Sequence, residues 1–161
     1  MKNKLVISTL ILSLAISSAA FAREVPKDIQ TASAVLDADG IDLTVYVDLS
    51  DGYSVDFATG AVYLYKGSAV GDDVEPVAMG ICLERQVYDE YVSAAEDKEP
   101  LTDRSDVVSY SSDGENLYLY NENGAYFLIV TNDDVTENPQ DRFYLQTFTM
   151  TDETETEAIT E

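Results

Sequence analysis

Carboxylates are the one chemical group this sequence carries in quantity. Its 161 residues hold 31 Asp and Glu against 9 Lys and Arg, with no histidine, no tryptophan and one cysteine. Clustered carboxylates can hold calcium, and a close pair can serve as acid and nucleophile in a hydrolase. The densest group is LDADGIDLTVYVDLSDGYSVDF, residues 36–57, with six aspartates and two Asp-Gly pairs. An EF-hand loop needs oxygen ligands at positions 1, 3, 5 and 12 and glycine at position 6. Starting at Asp37 puts Ile41 at position 5 and Asp42 at position 6, so the loop fails at two positions. Two later stretches remain candidates for a weakly held calcium: Asp72, Asp73 and Glu75 in GSAVGDDVEP, and Asp133, Asp134 and Glu137, with Asp141, in TNDDVTENPQD. Solvated turn carboxylates are the default reading of both stretches, so no metal site and no cofactor is assigned.

Other chemistries are narrowed by what is missing. Without histidine, Ser-His-Asp and Cys-His arrangements and histidine-bearing zinc sites are impossible, and one cysteine cannot build a cysteine-only zinc site. Cys82 is read as a small buried hydrophobe, because a nucleophilic thiol needs a nearby cation. The glycines stand singly as turn markers, and neither a P-loop nor a G-x-S-x-G motif is present. A two-carboxylate hydrolase keeps enough raw material, but 31 acidic residues bring such pairs together by chance, so no catalytic residue is named. Tyr63 and Tyr65, two apart in AVYLYK, are the candidates for an aromatic binding strip, although tyrosines at that spacing also simply cover a sheet face.

These residues need elements to position them, and period-2 alternation predicts mostly strands. Ile41, Leu43, Val45, Val47 and Leu49 alternate with polar residues, with Asp39-Gly40 as a turn before them. A three-residue Ser50-Asp51-Gly52 loop would make this strand a hairpin with the next, pairing Leu49 with Tyr53, Val47 with Val55 and Val45 with Phe57. For residues 61–66 a two-residue loop turns Val62 and Leu64 inward, whereas a three-residue loop turns Tyr63 and Tyr65 inward; the register stays open. In VAMGICL, large residues alternate with Ala78, Gly80 and Cys82, which predicts a buried strand with something packed closely on its small face. Residues 84–97 switch to helical spacing through Val87, Tyr88, Tyr91, Val92 and Ala95. Further on, Asp113-Gly114 predicts Tyr110 opposite Leu117 and Val108 opposite Leu119, and Asn123-Gly124 predicts Leu119 opposite Leu128 and Leu117 opposite Val130. The other face of that meander, Tyr118, Tyr120, Phe127 and Ile129, is apolar enough to require a cover. Residues 143–150 are read as the last strand.

The expected fold class is α+β: an antiparallel sheet of about seven strands with one amphipathic helix packed on it, or alternatively a partly closed β-barrel with the helix as lid. Residues 1–22 read as a secretory signal peptide, with Lys2 and Lys4 before an apolar run and an Ala20-Phe21-Ala22 cleavage motif. That run falls short of the roughly 20 residues that span a bilayer. Residues 23–35 read as a polar lead-in, 36–150 as a single β-rich domain and 151–161 as a disordered acidic tail. Loss of Lys2 and Lys4 takes the net charge from −22 to −24. A field of that sign repels nucleic acid and anionic lipid and attracts cations or basic partners, and its size disfavours self-association. The expected function is therefore a secreted, monomeric, non-enzymatic binding module for a cationic or neutral extracellular partner. A calcium-stabilised structural protein and a carboxylate hydrolase are the alternatives.

Overall fold

The structure, a computed structural model, describes residues 23–71, 73–132 and 138–147. Among these the chain forms nine strands: β1 (Thr31–Ala38), β2 (Ile41–Asp48), β3 (Tyr53–Ala58), β4 (Ala61–Lys66), β5 (Ala78–Leu83), β6 (Val107–Ser112), β7 (Glu115–Glu122), β8 (Ala125–Asn132) and β9 (Phe143–Thr147). Helix α1 (Arg85–Ala94) follows β5, and a 3-10 turn, Pro139–Arg142, leads into β9.

The expected antiparallel, β-rich architecture with one packed helix is present, but in two sheets rather than one. A three-stranded sheet, β1-β2-β9, faces a six-stranded sheet, β3-β4-β5-β8-β7-β6, and every pairing is antiparallel. The described strands form no closed barrel. Between the sheets lies the main core, with Leu43, Val45 and Val47 from β2 meeting Val62, Phe127 and Ile129 from the larger sheet. A second core lies on the outer face of the larger sheet, where Tyr88, Tyr91, Val92 and Ala95 of the helix region pack on Leu83, Tyr110, Leu117, Leu119 and Leu128. The helix thus covers one face of the meander, and the small sheet covers the other.

The C-terminal registers are as the turns predict: Tyr110 opposes Leu117, Val108 opposes Leu119, Leu119 opposes Leu128 and Leu117 opposes Val130. Both residues of Asp39-Gly40, Asp113-Gly114 and Asn123-Gly124 have positive φ, the condition for a two-residue turn that follows strand twist. The open register of β4 resolves to the two-residue loop, with Ala58 opposite Ala61 and both Val62 and Leu64 fully buried.

One hairpin is a correction. β2 and β3 do not pair; β2 lies between β1 and β9, while β3 is an edge of the larger sheet. The shared parity was real, since Val45 and Val47 and Tyr53, Val55 and Phe57 line the same core, but they reach it from opposite layers. At the corner, Arg142 donates to the carbonyls of Asp48 (3.1 Å) and Ser50 (2.8 Å), tying the connection to the 3-10 turn.

Strand β1 begins inside the stretch read as lead-in. Of its four inward residues, Ala32, Ala34, Leu36 and Ala38, three are too small to mark an apolar stripe, and Asp39-Gly40 is the hairpin turn joining it to β2. Helix α1 is shorter than residues 84–97, because after Ala94 the chain continues only as single turns, with Lys98 N–H donating to the Ala95 carbonyl. Residues 148–150 of the expected last strand lie outside the described residues.

The small face of β5 is packed as expected. A Cβ built on Gly80 would overlap the Phe127 ring and come within 3.3 Å of Phe143, so the two sheets approach each other over a missing side chain.

Candidate functional site

Among the described residues, charged groups concentrate around the 3-10 turn. Pro139 and Gln140 are buried there, which fixes the backbone that presents Asp141 and Arg142. The Arg142 guanidinium lies 3.7 Å from the centroid of the Tyr53 ring and 3.2 Å from Asp51 Oδ2. Lys66 approaches the same ring at 4.4 Å. Asp48, Asp51, Lys66, Asn138, Asp141 and Arg142 line a cleft of about 360 Å³, within the size range of small-ligand sites. Its walls bring three carboxylates and two cations together, a surface suited to a polar ligand rather than an apolar one.

Arginines from distant parts of the chain converge on the other side of Asp141. Arg104 makes a bidentate pair with Asp106, Nε at 3.0 Å and Nη2 at 2.6 Å, and reaches Asp141 Oδ1 at 3.3 Å. Hydrogen bonding to Asp106 pushes Arg104 further above its already high pKa. Arg23 donates to the Asp141 carbonyl at 3.0 Å and sits 4.2 Å over the Tyr144 ring. Beneath them burial drives the Tyr120 phenol upward, so it stays protonated.

Glu122 is where a carboxylate departs from ordinary behaviour. Half-buried at the end of β7, it has a pKa raised first by desolvation and then by the nearby Asp106. A raised carboxyl beside a second carboxylate is the pattern a general acid requires. The hollow that Glu122 lines with Arg104, Asp106 and Tyr120, however, measures about 20 Å³. That is room for a single water and not for a sugar ring or peptide.

Of the residues singled out from sequence, Asp141 stands in the cleft around the 3-10 turn, whereas the other described ones lie elsewhere. Tyr65 is buried and Tyr63 half-buried on β4, opposite Ser54 and Asp56 respectively, so they form no exposed strip. Asp73 and Glu75 lie in the β4–β5 connection, where Glu75 Oε1 accepts a hydrogen bond from Asn132 at the end of β8 (3.2 Å). Asp72, Asp133, Asp134 and Glu137 lie outside the described residues. Among those described, no three acidic or cysteine side chains gather as a metal-ligand group. Cys82 is half-buried and its thiol is pushed up to about 11, by burial and then by Asp37, which keeps it a thiol at neutral pH.

The arginine cluster escaped sequence reading because its members are 38 to 119 residues apart along the chain, at Arg23, Arg104 and Arg142. In so acidic a chain, the scarcity of cations was itself the signal. No family model matches the chain, and neither a curated protein nor a solved structure is found to be similar to it.

Proposed function

We propose that this chain is a non-enzymatic binding module of an extracytoplasmic compartment, taking a cationic or neutral partner. The observation that carries the reading is the fate of its few cations. Of the seven that follow residue 22, Arg23, Lys66, Lys98, Arg104 and Arg142 each lie over a tyrosine ring, and Arg85 is 3.8 Å from Asp89. With five of the seven cations stacked on tyrosine rings and carboxylates far outnumbering all seven, the field reaching solvent is that of the excess carboxylates, which attracts basic partners and repels acidic ones. Export rests on the Lys2–Ala22 leader and its Ala20-Phe21-Ala22 motif.

Titration of lysine-rich and glutamate-rich peptides of equal length, at low and moderate salt, tests the proposal. Binding of the basic peptide that weakens as salt rises supports it. Equal binding of both peptides, or of neither, counts against it.

Calcium is the second reading, favoured by the Glu75–Asn132 contact, which ties the 67–76 loop to the strand preceding the second acidic loop. A calcium ion bound only by the folded state raises the melting temperature beyond the effect of sodium chloride at equal ionic strength. No such excess at millimolar calcium removes this reading.

A further inference from the structure

The three-stranded sheet is narrower than the sheet it covers. β1 lies over β5 and β8, β2 over β8 and β9 over β7. Val62 and Leu64 of β4 are fully buried, so the thinly covered margin on the β1 side is β3. In this margin Val55 and Phe57 of β3 pack against the inter-sheet core yet remain half-buried.

β1 itself lacks the devices that usually blunt an edge strand, such as a lysine, a proline or a bulge. It pairs with β2 without a break over eight residues. Residues 29–36 carry no charge, and Val35 is 61% exposed, the most exposed large hydrophobic among the described residues. The edges at β6 and β9 are better protected. Ser109 of β6 accepts the Leu101 N–H, and Thr147 of β9 is held by Asn123 at 2.8 Å. At one end of the β1 edge, Asp37 stands directly opposite Asp42, with Asp39 in the turn between them. Like charges facing across a ladder are destabilising, and a cation beside them relieves the repulsion.

We propose that a partner protein adds an extended strand antiparallel to β1, with alternate apolar side chains directed towards the half-buried Val55 and Phe57 of β3 and a Lys or Arg beside Asp37. Backbone pairing along the edge would supply affinity, and the apolar floor and acidic end would supply register and polarity. Antiparallel addition is the more stable pairing, which places the basic residue at the start of the added strand. A second copy fits poorly, because two chains each of net charge −22 repel. The chain's own acidic residues 151–161 would bring further carboxylates to Asp37. The proposal rests on the binding-module reading and gives it a place and a mode.

The probe is a capped peptide of two lysines followed by three threonine-valine repeats, compared with the same repeats preceded by two glutamates. Amide exchange of the purified protein is followed with each peptide. The lysine peptide is expected to slow exchange in residues 31–37, and the glutamate peptide to bind more weakly. Asp37→Asn, which keeps an oxygen for the Gly40 N–H that Asp37 Oδ1 accepts at 2.8 Å, is expected to reduce that preference by about two- to five-fold, the scale of one exposed charge pair. Val35→Lys places a gatekeeping charge at an exposed position and is expected to abolish protection while leaving the melting temperature unchanged. Slowed exchange elsewhere, with residues 31–37 unaffected, overturns this site but leaves the binding-module reading standing. Binding of neither peptide overturns both. Protection of residues 31–37 that rises with protein concentration alone identifies a second copy as the occupant and overturns the partner strand.

Discussion

The tightest constraint at the scale of single residues is Gly80, where the small sheet presses Phe143 and the larger sheet's Phe127 against bare backbone. Gly80→Ala inserts a methyl where both rings already stand, and overpacking of this kind costs about 1–3 kcal/mol. Urea unfolding is expected to show a lower midpoint with an unchanged slope; an unaltered midpoint would mean that the sheets separate freely. Glu122 yields a prediction of opposite character. Its folded pKa is raised above the ordinary 4.5, so the folded state holds this proton more tightly than the unfolded state does. The associated stability is fully present below about pH 4.5 and is lost as pH rises through the folded value. Glu122→Gln is therefore expected to flatten the decline in melting temperature above pH 4.5 and to leave the protein at least as stable at pH 7. A variant with the wild-type pH profile would show that Glu122 is solvated.

At the scale of elements, the corner between β2 and β3 depends on one side chain. Arg142 donates to two main-chain carbonyls and to Asp51 while stacking on Tyr53. Arg142→Ala removes charge-assisted bonds, whose net worth is roughly 1.5–3 kcal/mol for a shielded one and less where solvent competes, so a loss of about 2 kcal/mol is expected. Lysine, with a point charge and no planar fork, is expected to recover less than half of it. Recovery of full stability by Arg142→Lys would mean that charge alone holds the corner. This same corner marks where the sequence stopped being legible. Asp113-Gly114 and Asn123-Gly124 join strands within one sheet, and local turn chemistry with apolar alternation was enough to fix their registers. Asp51-Gly52 has the same positive-φ geometry and the same parity on either side, yet it passes the chain between sheets. The local difference is one of parity: core residues change parity across Asp113-Gly114 and Asn123-Gly124, as a two-residue turn between paired strands requires, but keep it across Asp51-Gly52, and the corner so formed is tied by Arg142, some 90 residues later in the chain. β1 was hidden for another reason, since alanines at its inward positions bury little and carry little signal. The clustering around Asp141 is likewise non-local, joining Arg23, Arg104 and the 3-10 turn.

Charge dominates at the scale of the whole molecule. Folding draws the carboxylates of the strands and their turns into a smaller volume than the unfolded chain occupies, so their mutual repulsion opposes the native state. Salt acts on this in two directions: it screens the repulsion, and it weakens the few attractive pairs. The attractive pairs are the less sensitive partner, because the Arg104–Asp106 pair is mostly shielded from solvent and bidentate. The excess carboxylates lie mostly at the surface, where their repulsion is cut by a screening length that falls from about 30 Å at 0.01 M salt to about 10 Å at 0.1 M. The melting temperature is therefore expected to rise with sodium chloride, most steeply below about 0.1 M, and to level off once neighbouring charges are screened. Potassium chloride is expected to act alike, since screening depends on ionic strength and not on the identity of the ion. A falling curve would mean that the arginine clusters contribute more than the repulsion costs. A large difference between the two monovalent salts would point instead to specific ion binding among the carboxylates.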